Sequence, residues 1–284
     1  ANMFTIVEKR RLNDSMTLMA VEAPYIAKKA KAGQFIILRV NEFGERIPLT
    51  IADYDREKGT ITIIYQKVGK TTMLLDELNE GDAILDFIGP LGKATELEGY
   101  KKVAVIGGGA GCAIAYPQAK ALHSMGAKVD MIAGFRNKDI IILEDEMNAA
   151  SDNLILTTDD GSNGNKGFVT DALREQIENG AGYDLVIAIG PLVMMRAVCN
   201  LTKEYNIKTI VSMNPIMIDG TGMCGGCRVT VGGETKFACV DGPDFDGHQV
   251  DFDEAIKRSK TYNEFEKEAT RKHKCNLMGG IDNA

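Results

Sequence analysis

The sequence predicts an antiparallel β-barrel, a doubly wound α/β domain with a five-stranded parallel sheet, and a small cysteine-rich C-terminal module. Three patterns predict this: short β-branched runs in the first third of the chain, strand and helix alternation after them, and then closely spaced glycines and cysteines. At 284 residues the chain exceeds the usual size of one domain. We therefore expect domains over residues 1–98, 99–215 and 216–252, followed by a helical tail over 253–284.

The barrel is predicted from short apolar runs separated by glycine and charged turns. These runs are FTIVEKRRL, MTLMAVEAP, QFIILRV, IPLTIADYD, TITIIYQKV and DAILDFIGP. One segment departs from the pattern, because TTMLLDEL, from Thr71 to Leu78, has helical spacing.

The α/β domain is predicted from apolar runs of the kind found in strands buried on both faces. They are KKVAVIGGG, AKVDMIAGF, NLILTTDD, YDLVIAIG and KTIVSMN. Helical patterns fill the gaps, as in AIAYPQAKALHSM, FVTDALREQIENG and LVMMRAVCNLTKEY. This alternation indicates a doubly wound parallel sheet.

A glycine-rich turn follows the first of these strands and opens a helix. Such a turn suits a dinucleotide pyrophosphate, because glycines allow close backbone approach and the helix N-terminus favours the anion. Its glycines are Gly107, Gly108, Gly109 and Gly111. Gly190 and Pro191 end the fourth strand, where a crevice would receive the nicotinamide.

The second strand of this domain ends without the usual acidic ribose ligand. Arg136 stands there instead. An arginine could pair with a 2′-phosphate or could simply be a solvated side chain. The choice between NAD and NADP therefore stays open on these residues alone.

The cysteine-rich segment has the spacing Asp219-x4-Cys224-x2-Cys227-x11-Cys239. The glycines around it let the backbone curl around an inorganic core and direct N–H groups at sulfur. The spacing resembles the plant-type arrangement for a [2Fe-2S] cluster, with aspartate in place of the first cysteine. Three cysteines and a carboxylate could also hold zinc tetrahedrally, so spacing alone leaves zinc as the alternative.

Composition and charge disfavour several classes of protein. Lysine plus arginine number 33 against 40 acidic residues, a net charge of −7, which argues against a nucleic-acid partner. No apolar run reaches the roughly 18 to 20 residues that span a bilayer, and the first residues lack a signal peptide's layout. We therefore expect no membrane partner and a cytoplasmic location. The acidic stretch over 241–255 lacks EF-hand spacing and is interpreted as a solvated loop.

Further motifs carry a family resemblance. They are Arg46-Ile47-Pro48-Leu49-Thr50-Ile51-Ala52, Ile63-Ile64-Tyr65, Gly69-Lys70-Thr71-Thr72 and Gly89-Pro90-Leu91-Gly92. With the glycine turn and the cysteine segment, they make the chain similar to the ferredoxin–NADP reductase superfamily, in the branch with a C-terminal [2Fe-2S] cluster. The resemblance implies FAD contacts at Arg46, Pro48, Leu49, Thr50, Ile63, Ile64, Tyr65, Gly69, Thr71 and Thr72, with the Thr50 hydroxyl beside the flavin ring. One departure is that the family's arginine stands three residues before the hydroxyl, where this chain has Ile47.

This branch includes the electron-transfer subunit of dihydroorotate dehydrogenase and the small subunit of NADH-dependent reduced ferredoxin:NADP oxidoreductase. Aspartate at the first cluster position resembles the second kind. The resemblance implies FAD, NAD(H) and a [2Fe-2S] cluster on Asp219, Cys224, Cys227 and Cys239. It also implies an electron-bifurcating complex whose large subunit carries a second FAD and [4Fe-4S] clusters and reacts with NADP(H) and ferredoxin. The alternatives are the dihydroorotate dehydrogenase subunit and a zinc-stabilised binding module without redox activity.

The tail carries apolar residues at helical spacing, which form one narrow stripe. They are Ile256, Tyr262, Phe265 and Ala269. We expect either a contact surface for the large subunit or a terminal helix that packs on its own domain.

Overall fold

The computed structural model describes residues 4–261, 263–265, 267–268 and 271. A seven-stranded sheet and a six-stranded sheet form its two main bodies, and a two-stranded hairpin lies beside them. Among the described residues, no helix is both long enough and apolar enough to cross a membrane.

The first sheet forms a nearly closed antiparallel barrel. Its strands are β1 (Phe4–Arg11), β2 (Met16–Glu22), β3 (Phe35–Arg39), β4 (Ile47–Asp55), β5 (Thr60–Gln66), β6 (Ala83–Ile84) and β7 (Asp86–Leu91). They are arranged in the order β6-β1-β2-β5-β4-β3-β7. Because only Leu85 separates the two end strands β6 and β7, the chain itself joins the two edges of the sheet. Two helices accompany the barrel: α1 (Pro24–Ala27) and α2 (Lys70–Glu77).

The second sheet carries the predicted doubly wound domain. Its parallel strands are β8 (Lys102–Gly108), β9 (Lys128–Phe135), β10 (Asn153–Thr158), β11 (Leu185–Ile189) and β12 (Thr209–Ser212). The helices are α3 (Cys112–Ser124), α4 (Glu144–Ala149), α5 (Val169–Glu178) and α6 (Leu192–Glu204). The order β10-β9-β8-β11-β12 confirms the five parallel strands and puts the switch point between β8 and β11, where ligands bind in such sheets.

The cysteine-rich segment forms a hairpin of β13 (Arg228–Val231) and β14 (Glu234–Phe237). It also supplies a strand β15 (Asp244–Asp246), which pairs antiparallel with β12 and extends the second sheet. The expectation of a solvated loop over 241–255 is therefore wrong at this strand. Asp244 is fixed instead, since its Oδ2 accepts hydrogen bonds from Thr95 in the barrel-to-sheet linker and Gln118 on α3.

The tail begins with helix α7 (Phe252–Ser259), whose N-cap Asp251 accepts a hydrogen bond from the backbone N–H of Glu254. The helix packs against α6 and β13, and Phe252 is buried there. Of the predicted apolar stripe, Ile256 is half-buried in this helix and Phe265 is exposed. Tyr262 and Ala269 lie outside the described residues. The start of the tail thus packs on its own domain.

Candidate functional site

The four predicted metal ligands come together as two pairs. Asp219 and Cys224 form one pair, with Cys224 Sγ 3.4 Å from Asp219 Oδ1. Cys227 and Cys239 form the other, with their Sγ atoms 3.2 Å apart. Cys224 is exposed, whereas Cys227 and Cys239 are buried. The pairs therefore differ in their access to solvent.

The Asp219 carboxylate is held by the loop that follows it. Its oxygens accept hydrogen bonds from the backbone N–H groups of Thr221 at 3.1 Å, Met223 at 3.0 Å and Cys224 at 2.9 Å. Gly220 adopts a positive φ of 76°, which lets the chain fold back over the carboxylate. Burial opposes ionisation, but the hydrogen bonds from Thr221 and Cys224 prevail and lower the pKa of Asp219 to about 2.

The buried pair lies in an apolar cluster on the outside of the barrel. Cys227 and Cys239 pack there with Phe35, Ile37 and Met217. Burial, and then contact with Cys227, raise the pKa of Cys239 to about 12. A metal that binds this pair must therefore displace protons from it.

A two-by-two arrangement of donors discriminates between the candidate metals. A [2Fe-2S] cluster takes two protein ligands on each of its two irons, whereas structural zinc takes four ligands around one point. Within the described residues, no group of three or more histidine, cysteine or acidic side chains is arranged to hold a single ion. The two pairs thus fit a binuclear cluster better than mononuclear zinc.

The predicted flavin motif lies on strand β4, beside this apolar cluster. In the β3–β4 pairing, Phe35 is opposite Thr50 and Ile37 is opposite Pro48. Opposite residues share a face of the sheet, so Thr50 and Pro48 point outward on the side that packs on the cysteines. Both are only half-buried, which leaves room for a planar ligand. Leu49 points the other way, against the barrel core.

The predicted flavin contacts on strand β5 have side chains that face the protein interior. Ile63 and Tyr65 belong to the barrel core, where the Tyr65 hydroxyl donates to Asp76 at 3.3 Å. Their side chains therefore face away from the outer surface, and Ile64 packs toward the second sheet. A flavin could reach Ile63 and Tyr65 only through their backbone.

Helix α2 offers an N-terminus for the FAD phosphates. It begins after Gly69, whose extended backbone leaves open space where a side chain would be. The Thr72 hydroxyl accepts hydrogen bonds from the backbone N–H groups of Gly69 and Val68 at 3.1 Å and so holds the first turn. Thr71 is buried beneath it. The helix start fits an anion, with Thr71 and Thr72 as structural supports.

The glycine turn joins a strand to a helix, as predicted, and the sheet order places it at the switch point of the second sheet. Gly108 ends β8, residues Gly109–Gly111 form a 3-10 turn, and α3 follows. A Cβ at Gly111 would lie 2.4 Å from the Ile189 carbonyl oxygen, so only glycine fits there. Gly190 approaches Gly108 closely, and Met194 covers both. Gly107 is pressed against Cys112 in the same way.

A cavity of about 610 Å³ opens near the carboxyl ends of β9 and β10. It is lined by Lys138, Asp139, Ile141, Glu144, Leu156, Asn163 and Asn165. In doubly wound folds, ligands bind outside the carboxyl ends of the strands. Sequence reasoning did not single out these residues, although all of them except Leu156 follow one of two predicted strands. The exposed Arg136, just before this segment, is not among the lining residues.

Arg46 contacts the cysteine loop across a long sequence separation. Its Nε donates to the Ile218 carbonyl oxygen at 2.7 Å, and a terminal guanidinium nitrogen lies 3.4 Å from that of Asp219. The arginine that the flavin motif contributes thus lies against the loop that holds the first predicted metal ligand.

Comparison with known proteins decides the family. The iron-sulfur cluster binding domain of dihydroorotate dehydrogenase B matches residues 214–251, and the oxidoreductase NAD-binding domain matches residues 105–200. A Thermotoga maritima homologue of the dihydroorotate dehydrogenase B (NAD(+)) electron transfer subunit is 47% identical over 262 residues, 92% of each chain. The chain belongs to this electron transfer subunit family. A Clostridium beijerinckii protein described as "uncharacterized protein in adh 3'region" is 54% identical over 92% of this chain and 90% of its own length.

A solved structure also matches this chain over almost its full given length. A chain of the NADH-dependent reduced ferredoxin-NADP oxidoreductase, solved to study flavin-based electron bifurcation, is 43% identical and superposes with a TM-score of 0.90. The match covers 96% of this chain and 98% of that one. The predicted fold class and family are confirmed. The chain is an oxidoreductase subunit whose cofactors are FAD, a [2Fe-2S] cluster and NAD(H), and it works in a complex with a larger subunit.

Proposed function

We propose that this electron transfer subunit belongs to an electron-bifurcating NADH-dependent reduced ferredoxin:NADP oxidoreductase. The observation that carries the proposal is the 0.90 TM-score match over almost the whole of both chains. When bound, the flavin supplies conversion between two-electron hydride chemistry and single-electron transfer, and the cluster supplies one-electron storage. NADP(H) and ferredoxin react on the large subunit, which carries a second FAD and [4Fe-4S] clusters.

The roles of the residues follow from their location. Thr50, on the outer face of β4, orients the flavin ring through its hydroxyl, and the start of α2 holds the FAD phosphates. The glycine turn before α3 holds the NAD(H) pyrophosphate, with Gly190 and Pro191 at the nicotinamide end. Asp219 and Cys224 would hold one iron of the cluster, and Cys227 and Cys239 would hold the other, because each pair lies together. Residues 1–98, 99–215, 216–252 and 253–284 then form the flavin, nucleotide, cluster and tail segments.

The exposed half of the cluster loop supports an electron exit to the large subunit. Met223 is 89% exposed, and Ile216 and Ile218 are also exposed beside the exposed Cys224. Apolar side chains in a group around a redox centre favour contact with another protein. In contrast, Cys227 and Cys239 face the barrel and the predicted flavin surface. Electrons would thus enter on the buried side and leave on the exposed side.

A dihydroorotate dehydrogenase B complex is the second candidate, because relatives carrying that name are 30–34% identical to this chain. The two functions differ in what the complex oxidises. Tagged chain should be purified anaerobically with its large subunit and tested with NADPH, NAD⁺ and ferredoxin, and separately with dihydroorotate and NAD⁺. We expect ferredoxin reduction by NADPH that requires NAD⁺. Dihydroorotate-dependent NADH formation without that reaction would favour the second function.

A further inference from the structure

The Asp219 half of the cluster loop has few apolar contacts to hold it. The Cys227 and Cys239 half is buried among barrel side chains, but Ile218 and Met223 on the other half are exposed. Two contacts fix this half to the barrel. Gly220 presses its backbone against Ile37, and Arg46 donates to the backbone carbonyls of Ile218 and Asp219.

Arg46 also carries a positive charge that is not part of an ion pair with a carboxylate among the described residues. Of the ion pairs among the described residues, none includes Arg46. Its positive charge therefore lies against the backbone of Asp219, in the loop that carries the first pair of predicted ligands. Reduction of a cluster adds negative charge, and a neighbouring cation favours the reduced state.

Arg46 links this charge to the flavin strand. It immediately precedes β4, which carries Pro48 and Thr50 on its outer face. A shift of Arg46 would therefore move both the start of strand β4, which carries the predicted flavin contacts, and the loop that carries Asp219.

From these contacts we propose that Arg46 is a positioning residue for the cluster: it anchors the Asp219 end of the loop to the flavin strand and raises the reduction potential of the cluster. This inference rests on the proposed role of Asp219, Cys224, Cys227 and Cys239 as ligands. It differs from the role that the family resemblance implies, in which Arg46 contacts FAD.

The test uses the full chain with FAD and cluster bound, in the variants Arg46→Gln, Arg46→Lys and Arg56→Gln. Arg56 is a matched control, because its guanidinium also donates to a backbone carbonyl, that of Ala30, at 2.9 Å. It lies at the far end of the nine-residue strand β4, about 30 Å away at the usual rise of a strand. The cluster potential is measured by titration followed by paramagnetic resonance, and FAD affinity is measured separately.

For Arg46→Gln we expect the ratio of reduced to oxidised cluster at a fixed potential to fall on the order of tenfold, about 59 mV for one electron. Arg46→Lys should lie between this variant and wild type, and Arg56→Gln should equal wild type. Loss of the cluster from Arg46→Gln with FAD retained would also support the anchor. An unchanged potential, or loss of FAD together with the cluster, would overturn it. Absence of a [2Fe-2S] cluster from wild-type protein would instead contradict the proposed function.

Discussion

Phe35 and Thr50 lie opposite each other in the β3–β4 pairing, and Phe35 packs in the same apolar cluster as Cys227 and Cys239. Phe35 therefore contacts the buried metal ligands on the same face of the sheet that carries the predicted flavin contact. Ile36 and Leu38 on the same strand face the barrel core. Alternate side chains of β3 thus have different roles: those on one face pack in the barrel core, and those on the other face pack against the predicted redox site.

Replacement of Phe35 by alanine should disturb the path between the two cofactors. We expect a loss of about 3–5 kcal/mol in stability, slower reduction of the cluster by NADH and partial loss of iron, because a buried ring is removed. The control Phe87→Ala removes a ring that is equally buried in the barrel core, so it should cost similar stability but leave cluster reduction intact. Stopped-flow absorbance and chemical unfolding measure both effects. Equal cluster reduction in the two variants would argue against this path.

Thr50→Val should slow hydride transfer from NADH by about 10-fold to 100-fold, because it removes one hydroxyl from the flavin face at nearly constant volume. Thr62→Val, on the neighbouring strand β5, serves as the control. Stopped-flow flavin reduction measures the rate. A wild-type rate in Thr50→Val would exclude Thr50 as a flavin contact.

Asp219→Cys should keep the cluster but shift its potential, since thiolate is a softer donor than carboxylate. Asp219→Ala should lower metal affinity about 10-fold to 100-fold or more, because it removes both a ligand and an acceptor of three loop N–H groups. Asp241→Asn is the control, as Asp241 caps the backbone N–H of Phe237 in the same module. Iron content measures the loss of metal, and potentiometric titration measures the shift in the potential of the cluster. A wild-type potential in Asp219→Cys would remove Asp219 from the ligand set.

Asp244 predicts a pH dependence of stability. Burial raises the pKa of this carboxyl above its ordinary value, although Thr95, Ser212 and Gln118 donate to it. Its Oδ1 is buried without a hydrogen-bond partner among the described atoms. Because the folded pKa lies above the unfolded value of about 3.9, the protonated form stabilises the protein below that pH, and this stabilisation is lost as pH rises through the folded pKa.

Asp244→Asn should therefore be more stable than wild type at pH 8, on the order of 1 kcal/mol, and the advantage should shrink as pH falls. The exposed Asp253, paired with Arg196, provides the control Asp253→Asn. Thermal unfolding across the pH range measures the difference. A constant difference at every pH would mean that Asp244 does not titrate in this way.

Much of the fold follows from local pattern, and the remainder depends on long-range contact. The apolar runs predict the strands of both sheets because burial on one or both faces leaves a period that can be seen in the sequence. Helix α4 has only six residues, too few to show a helical period. Strand β15 is three acidic and aromatic residues long, and only its pairing with β12 makes it a strand.

The candidate site divides in the same way. The spacing of Asp219, Cys224, Cys227 and Cys239 predicts a cluster loop, but the division into two pairs requires the folded chain. The contact of Arg46 with Ile218 spans 172 residues, and no local motif contains it.

The most direct test of the account is metal analysis of anaerobically purified protein, together with its paramagnetic resonance spectrum after reduction by NADH. The two ligand pairs predict about two irons per chain, little zinc, and a one-electron reduced [2Fe-2S] signal. Stoichiometric zinc without iron would contradict the account.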